Sequence, residues 1–77
     1  MPAVGGGAAG RDARVGRRIR GKRRAMGLEQ DALARVLGVS ATVIEAYETG
    51  VTPVPHEHLR QLASYFGVPL SYFLPAS

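Results

Sequence analysis

Four glycines divide this chain of 77 residues into short segments, and they constrain its fold more than any other feature. Each follows a stretch in which apolar side chains recur every three or four residues, the spacing of one face of an α-helix; they are Gly27, Gly38, Gly50 and Gly67. Glycine directly after such a stretch is a common helix stop. Because no stretch alternates as β-strands do, the pattern predicts an all-α domain of short helices.

The first predicted helix extends from Arg11 to Met26. Its apolar side would carry Val15, Ile19, Met26 and the stem of Lys22, while arginines occupy its other faces. This is the longest periodic stretch in the sequence.

The later predicted helices are shorter. Leu28 opens the second stretch, and Ser40 is a suitable N-cap for a third helix that ends near Thr49. Pro55 is placed to open a fourth helix. The apolar residues 70–74, which lie between two prolines, predict a terminal turn.

The first ten residues differ in composition from the rest. They read MPAVGGGAAG and offer little apolar surface to offset the entropy of ordering. We predict a flexible Gly/Ala-rich tail over residues 1–10 and a folded domain over residues 11–77. No stretch is long and apolar enough for a secretory signal or a membrane span, so we expect a cytoplasmic protein that does not associate with membranes.

Charge is distributed unevenly along the chain. Residues 11–24 contain eight arginines and lysines against one aspartate, a local charge of +7. From residue 25 onward, two basic residues stand against five acidic ones, a local charge of −3. The concentrated basic segment favours an anionic partner.

Length and composition argue against an enzyme. A chain of this size forms one small domain, and the absence of cysteine removes thiol nucleophiles and thiolate metal ligands. His56 and His58 are two residues apart, so on a helix they would not face a common metal ion. We therefore predict no catalytic residues, no metal site and no cofactor.

The second and third predicted helices are separated by the short turn Leu37-Gly38-Val39-Ser40. The third helix presents a mostly non-core face near its N-terminus, which is the layout of a helix-turn-helix. In that layout the second helix of the motif enters a DNA major groove about 12 Å wide, so the turn must fix the angle between the helices. We place the motif at about residues 29–49.

The range from Val15 to Leu74 resembles the Cro and phage-repressor family of helix-turn-helix proteins, also called the xenobiotic-response-element (XRE) family. The matching residues are Ile19, Arg20, Arg23, Gly27, Leu28, Gln30, Leu33, Ala34, the turn 37–40, Ile44, Glu48, Gly50, Leu59, Leu62, Ala63, Gly67 and Val68. The resemblance implies a five-helix domain that binds double-stranded DNA, usually as a homodimer on an inverted repeat, and regulates transcription. We expect a repressor.

The resemblance also assigns residues to the DNA interface. Gln30 matches a residue that contacts phosphate, and the positions that face base edges are Ala41, Thr42, Glu45 and Ala46. Thr42 can place its methyl group against thymine, and Glu45 can accept a hydrogen bond from the amino group of cytosine. None of these side chains suits a bidentate contact with a purine, so DNA shape would have to supply part of the specificity.

Arg23 and Glu48 match a pair that links the first helix to the end of the third in this family. We predict the same ion pair here. The alternative is two separate, solvated charges.

The connector after the third helix lacks the basic residues that relatives often carry there, which leaves Thr52 as its candidate phosphate contact. Most phosphate contacts must then come from the basic segment. We predict a clamp formed by Arg11, Arg14 and Arg18; alternatively, these arginines only keep a small domain soluble.

The aromatic and apolar residues near the C-terminus have two interpretations. We predict that Leu70, Tyr72 and Leu74 form a homodimer contact, against simple exposure at the surface. Two other functions also remain open for the chain as a whole: a protein-interaction module of the same fold with weak affinity for DNA, or an antitoxin with a protein partner.

Overall fold

The computed structural model describes residues 6–74, and within that range it contains four α-helices, one short 3₁₀ helix and no strand. The α-helices are α1 (Gly6–Ala25), α2 (Gln30–Leu37), α3 (Ala41–Thr49) and α4 (His56–Phe66), and the 3₁₀ helix is Leu70–Tyr72. The all-α prediction is confirmed. None of the helices in this range is both long and apolar enough to cross a membrane.

The expectation of five α-helices is wrong for the described residues. The last element is a single 3₁₀ turn, in which the N–H of Tyr72 donates to the carbonyl of Pro69 at 2.9 Å. Pro69 and Pro75 leave only residues 70–74 between them in the sequence. Because proline disfavours helix at the residue before it, this segment is too short for an α-helix.

Helix α1 begins at Gly6, five positions before the predicted start at Arg11. Its packed central part supplies the nucleus, after which each further residue adds a backbone hydrogen bond, and Ala8 and Ala9 have high helix propensity. The end predicted for the flexible tail, at residue 10, therefore lies inside a helix. Residues 1–5 of that tail lie outside the described residues.

The C-terminal end of α1 also differs from the prediction. The helix stops at Ala25, and Met26 is 45% exposed instead of lying on the apolar face. The N–H of Leu28 donates to the carbonyl of Arg23 at 3.0 Å, which closes the helix end and redirects the chain. Helix α2 then begins at Gln30.

One hydrophobic core joins all the helices. Its most deeply buried side chains come from α1, α2, α3, α4 and the segment after α4, and they are Ile19, Leu33, Ile44, Leu62 and Phe73. The ring centres of Phe66 and Phe73 are 6.1 Å apart, and this contact packs the segment after α4 against that helix.

Helix α1 packs with its backbone directly against the C-terminal end of α3. A Cβ atom added to Gly16 would collide with the carbonyl oxygen of Tyr47 and lie 2.5 Å from that of Glu48. Likewise, a Cβ atom at Gly50 would lie 2.8 Å from the Cα of Ala13. The two glycines allow this close approach, which fixes α3 relative to α1.

Candidate nucleic-acid interface

The turn between α2 and α3 has the geometry predicted for a helix-turn-helix. Gly38 adopts a left-handed conformation with φ 71° and ψ 34°, which residues with a side chain rarely adopt. The N–H of Val39 donates to the carbonyl of Ala34 at 3.0 Å. Ser40 then caps α3 as predicted, because its hydroxyl accepts from the N–H of Val43 at 3.4 Å.

Helix α3 has a buried side and an outward side. Ile44, Tyr47 and Glu48 are buried against the rest of the domain. The four predicted base-facing residues lie together on the outward side, where Thr42 and Glu45 are exposed and Ala41 and Ala46 are half-buried.

The predicted ion pair between Arg23 and Glu48 is present. The guanidinium donates from Nε to Oε2 of Glu48 at 2.6 Å and from Nη2 to Oε1 at 3.0 Å. Its Nη1 donates to the carbonyl of Leu28 at 2.8 Å. The hydrogen bond to Glu48 raises the pKa of Arg23 above its ordinary value, although burial acts in the opposite direction.

Gln30, the predicted phosphate contact, has protein partners in this structure. Its side-chain amide nitrogen donates to Oε1 of Glu45 at 2.7 Å and to Oε1 of Glu48 at 3.1 Å. Both partners lie on α3, so the first residue of α2 bridges the outward and buried sides of that helix. The sequence did not reveal this bridge, because Gln30 and Glu45 are 15 positions apart.

Arg20 also lies beside this network. Its Nε is 3.5 Å from Oε1 of Glu48, within ion-pair distance, but this nitrogen is buried and makes no hydrogen bond within residues 6–74. Arg20 and Arg23 are three positions apart on α1, the helical spacing that brings both to one carboxylate. With Glu45 and Glu48 they form a cluster of two positive and two negative charges.

The three arginines of the predicted clamp lie on other parts of α1. The guanidinium carbon of Arg18 lies 5.7 Å from the ring centre of Tyr72, and the ammonium of Lys22 lies 6.0 Å from the same ring. Arg14 shares a surface recess with Arg18 and Tyr72. The structure thus brings Arg14 and Arg18 to Tyr72 and not to the cluster around Glu48.

Arg11 occupies a second recess, beside the connector between α3 and α4. This recess is also lined by Pro53, Val54, His56 and Leu74. Arg11 is exposed, so its guanidinium is accessible from solvent.

The connector is less available to phosphate than its exposure suggests. Thr52 is exposed, but its backbone N–H donates to the carbonyl of Ala46 at 3.2 Å, and the N–H of Val51 donates to the same oxygen at 3.0 Å. These two bonds close the C-terminal end of α3. The hydroxyl of Thr52 is the group that this residue can offer to a ligand.

The predicted dimer residues pack partly within the domain. Leu70, Tyr72 and Leu74 are half-buried and contact the core. The ring of Tyr72 meets that of Phe73 edge to face, with centres 5.3 Å apart. Tyr72 therefore has an inner contact with Phe73 and an outer contact with the cations of α1.

A polar contact between α3 and α4 was not predicted. The hydroxyl of Tyr47 and Nδ1 of His58 are 2.9 Å apart, within hydrogen-bond distance. Burial raises the pKa of Tyr47 above its ordinary value. Within residues 6–74 no group of three or more histidine, aspartate or glutamate residues is placed to hold a metal ion.

These features define a small all-α domain organised around a helix-turn-helix. A family model described as helix-turn-helix matches residues 19–73. The chain belongs to the helix-turn-helix family of the Cro/C1 (XRE) type.

Several known proteins are similar to this chain. An uncharacterized transcriptional regulator in the ATPase CF(0) region of Rhodospirillum rubrum is 42% identical over 62 residues, which cover 80% of this chain and 57% of the relative. An uncharacterized HTH-type transcriptional regulator of Sinorhizobium medicae is 36% identical over 62 residues, which cover 80% and 45%. The chain thus spans about half the length of these relatives.

A solved structure is similar over nearly the whole domain. The crystal structure of the DNA-binding domain of BldD has a TM-score of 0.74 and 28% sequence identity. The match covers 87% of this chain and 97% of that one. The similarity therefore includes the elements that surround the helix-turn-helix.

Proposed function

We propose that this chain binds double-stranded DNA in a sequence-specific manner and regulates transcription, with α3 in the major groove. The observation that carries the proposal is the outward side of α3, where Ala41, Thr42, Glu45 and Ala46 share one accessible face beside the start of α2. An α-helix with its side chains is about 10–12 Å across, which matches a groove about 12 Å wide.

The similar proteins support this proposal. The relatives are named as transcriptional regulators, and the similar crystal structure is that of a DNA-binding domain. The cytoplasmic location predicted from the sequence is part of the same proposal.

Positive charge on α1 would supply most of the affinity for phosphate. We retain Arg11, Arg14 and Arg18 as candidate phosphate contacts, because all three are exposed. Thr52 can contribute its hydroxyl. Gln30 can reach phosphate only if it gives up a hydrogen bond to Glu45 or Glu48.

We also propose a homodimer on an inverted repeat that acts as a repressor. The outer surface formed by Leu70, Tyr72 and Leu74 is the candidate contact, since each of these side chains keeps part of its area accessible. Two copies of α3 would then enter major grooves about 34 Å apart along the DNA.

Selection from a pool of randomised duplexes tests the proposed function. The protein should enrich one sequence motif, and binding to a duplex that carries it should weaken steeply as salt rises from about 50 to 200 mM, because phosphate contacts release counterions. It should also resist excess unrelated duplex. A pool that keeps its starting base frequencies would contradict the proposal.

One observation favours a second candidate, a protein-interaction module with weak affinity for DNA. Glu29, Asp31 and Glu45 are all exposed around the start of α2, so acidic side chains surround the surface that would approach DNA. This candidate predicts no enriched motif and only weak binding to any duplex, even at low salt.

A further inference from the structure

The side-chain amide of Gln30 donates both of its hydrogen atoms to carboxylates of α3. One bond runs to Glu45 at 2.7 Å and the other to Glu48 at 3.1 Å. A side-chain amide has two donor hydrogens, so none is left for a phosphate oxygen in this arrangement. The partners also fix which way the amide points, because turning its carbonyl oxygen toward two carboxylates would bring acceptors together.

Glu48 is a rigidly held hydrogen-bond partner for Gln30. Glu48 is 2% exposed, and its carboxylate is held by two hydrogen bonds from Arg23. Gln30 is therefore anchored at a buried, rigid point of the domain. From that anchor its second hydrogen reaches Glu45, which is exposed on the outward side of α3.

The consequence for Glu45 is a defined position on an exposed helix face. A lone glutamate at the surface samples several rotamers, and ordering it on binding costs side-chain entropy. The bond to Oε1 restricts these rotamers before any ligand arrives. Oε2 accepts no hydrogen bond from the residues that the structure describes, and Glu45 is exposed, so this oxygen is free to accept a hydrogen bond from a ligand.

A carboxylate presented in this way distinguishes among the four bases. It can only accept hydrogen bonds, and cytosine offers its amino group as a donor in the major groove. Guanine and thymine present acceptor oxygens there, which repel a carboxylate. Adenine has an amino group too, but its neighbouring N7 is an acceptor and is unfavourable beside the second oxygen.

The charges around the bridge make an acidic residue tolerable near DNA. Arg20 and Arg23 lie against Glu48, and Gln30 connects this group to Glu45. The four ionised side chains sum to zero charge. Repulsion between Glu45 and phosphate is thereby reduced without an arginine on α3 itself.

We propose that Glu45 selects cytosine at one position of each half-site and that Gln30 is the positioning residue that holds Glu45 for this contact. The inference rests on the proposed function, because it names the base that the outward side of α3 would recognise. It assigns Gln30 a part in specificity, in place of the phosphate contact predicted from the sequence.

The test uses the duplex enriched by selection and three versions in which the proposed cytosine and its partner are replaced. Affinities are measured for the wild type, Glu45→Gln and Gln30→Met, which keeps the length of the side chain but has no amide. The wild type should prefer cytosine by about 10-fold, since good base contacts discriminate by that order. Glu45→Gln should lose this preference, and Gln30→Met should reduce it several-fold.

Binding to unrelated duplex separates the two possible roles of Gln30. If Gln30 positions Glu45, Gln30→Met leaves nonspecific affinity and its salt dependence unchanged. If Gln30 contacts phosphate instead, the variant weakens binding to every duplex, the unrelated one included, by a similar factor, and the inference is overturned. A wild type that enriches no motif would overturn the proposed function itself. That outcome is distinct from a change in nonspecific affinity of Gln30→Met, which overturns only the inference.

Two further variants serve as controls for base preference. Glu29→Gln is the control, because it removes a neighbouring exposed acid that has no hydrogen bond to the bridge; it should keep the preference for cytosine. In the Glu45→Gln background, Gln30→Met should have no further effect on base preference. A base preference of the double variant that differs from that of Glu45→Gln alone would show that Gln30 acts independently of Glu45.

Discussion

Arg23 donates two hydrogen bonds to Glu48, a residue 25 positions later in the chain, at 2.6 and 3.0 Å. Both side chains are buried, so the pair ties the interior of α1 to the end of α3. Glu48 also accepts from Gln30 at the start of α2. One carboxylate therefore connects α1 with both helices of the helix-turn-helix.

Removal of this carboxylate should strongly destabilise the domain. Glu48→Ala leaves the buried guanidinium of Arg23 without its counter-charge, which typically costs about 3 kcal/mol or more. Urea unfolding followed by circular dichroism measures the free energy of unfolding. Gln61→Ala, an exposed position in the middle of α4, is the control and should change that free energy by less than about 0.5 kcal/mol. Equal effects of the two substitutions would contradict the structural role of the pair.

Replacing either of two glycines of α1 with alanine should change the free energy of unfolding, but in opposite directions. At Gly21 an added Cβ meets no atom of the described residues within 4 Å, so Gly21→Ala should stabilise the protein by up to about 1 kcal/mol through helix propensity. At Gly16 the added Cβ collides with backbone carbonyl oxygens of α3, and overpacking of this kind costs about 1–3 kcal/mol. Thermal unfolding of both variants checks the prediction. Stabilisation by Gly16→Ala would show that α1 does not approach α3 so closely.

Tyr47 should make stability fall in alkaline solution. Burial raises the pKa of its hydroxyl above 10.0 in the folded state, so between that ordinary value and the folded value only the unfolded chain loses the proton. This contribution to stability is complete below pH 10.0 and declines as pH rises. Ultraviolet titration should show a late-ionising tyrosine that disappears in Tyr47→Phe. If the ionisation that Tyr47→Phe removes occurs at the same pH as that of the remaining tyrosines, the prediction is wrong.

The arginine clamp has a prediction of its own. If Arg11, Arg14 and Arg18 contact phosphate, replacing all three with alanine should reduce the salt slope of DNA binding by up to about three. Arg35→Ala and Arg60→Ala, exposed positions on α2 and α4, serve as controls and should leave the slope nearly unchanged. A slope that the triple variant does not alter would show that these arginines serve solubility alone.

The parts of this fold that can be predicted from the sequence are those set by residues close together in the chain. Helix stops such as Gly38 and the cap at Ser40 depend on residues close in sequence, so the pattern predicts them correctly. The start of α1 was misplaced because Gly6, Gly7 and Gly10 are weak helix formers alone and become helical as an extension of a packed helix. The ends of helices that depend on tertiary packing cannot be predicted from neighbouring residues alone.

The candidate site likewise contains contacts that the sequence predicts and contacts that depend on tertiary packing. The pair Arg23–Glu48 was predicted through its resemblance to a known family, whereas the bridge from Gln30 to Glu45 depends on the side-chain geometry of two helices in contact. The backbone contact at Gly16 was missed for a similar reason, since glycine in a helix gives no sign of what lies against it. The spacing of Arg20 and Arg23 on one face could have indicated a shared partner.

The central claim is that the outward side of α3 recognises a DNA sequence, and a competition titration tests it most directly. The dissociation constants of the selected duplex and of an unrelated duplex are compared at one salt concentration, for the wild type and for Thr42→Ala. The wild type should bind the selected duplex at least about 10³-fold more tightly, and Thr42→Ala should reduce that ratio. Equal affinity of the wild type for both duplexes, or a ratio that Thr42→Ala leaves unchanged, would contradict the claim.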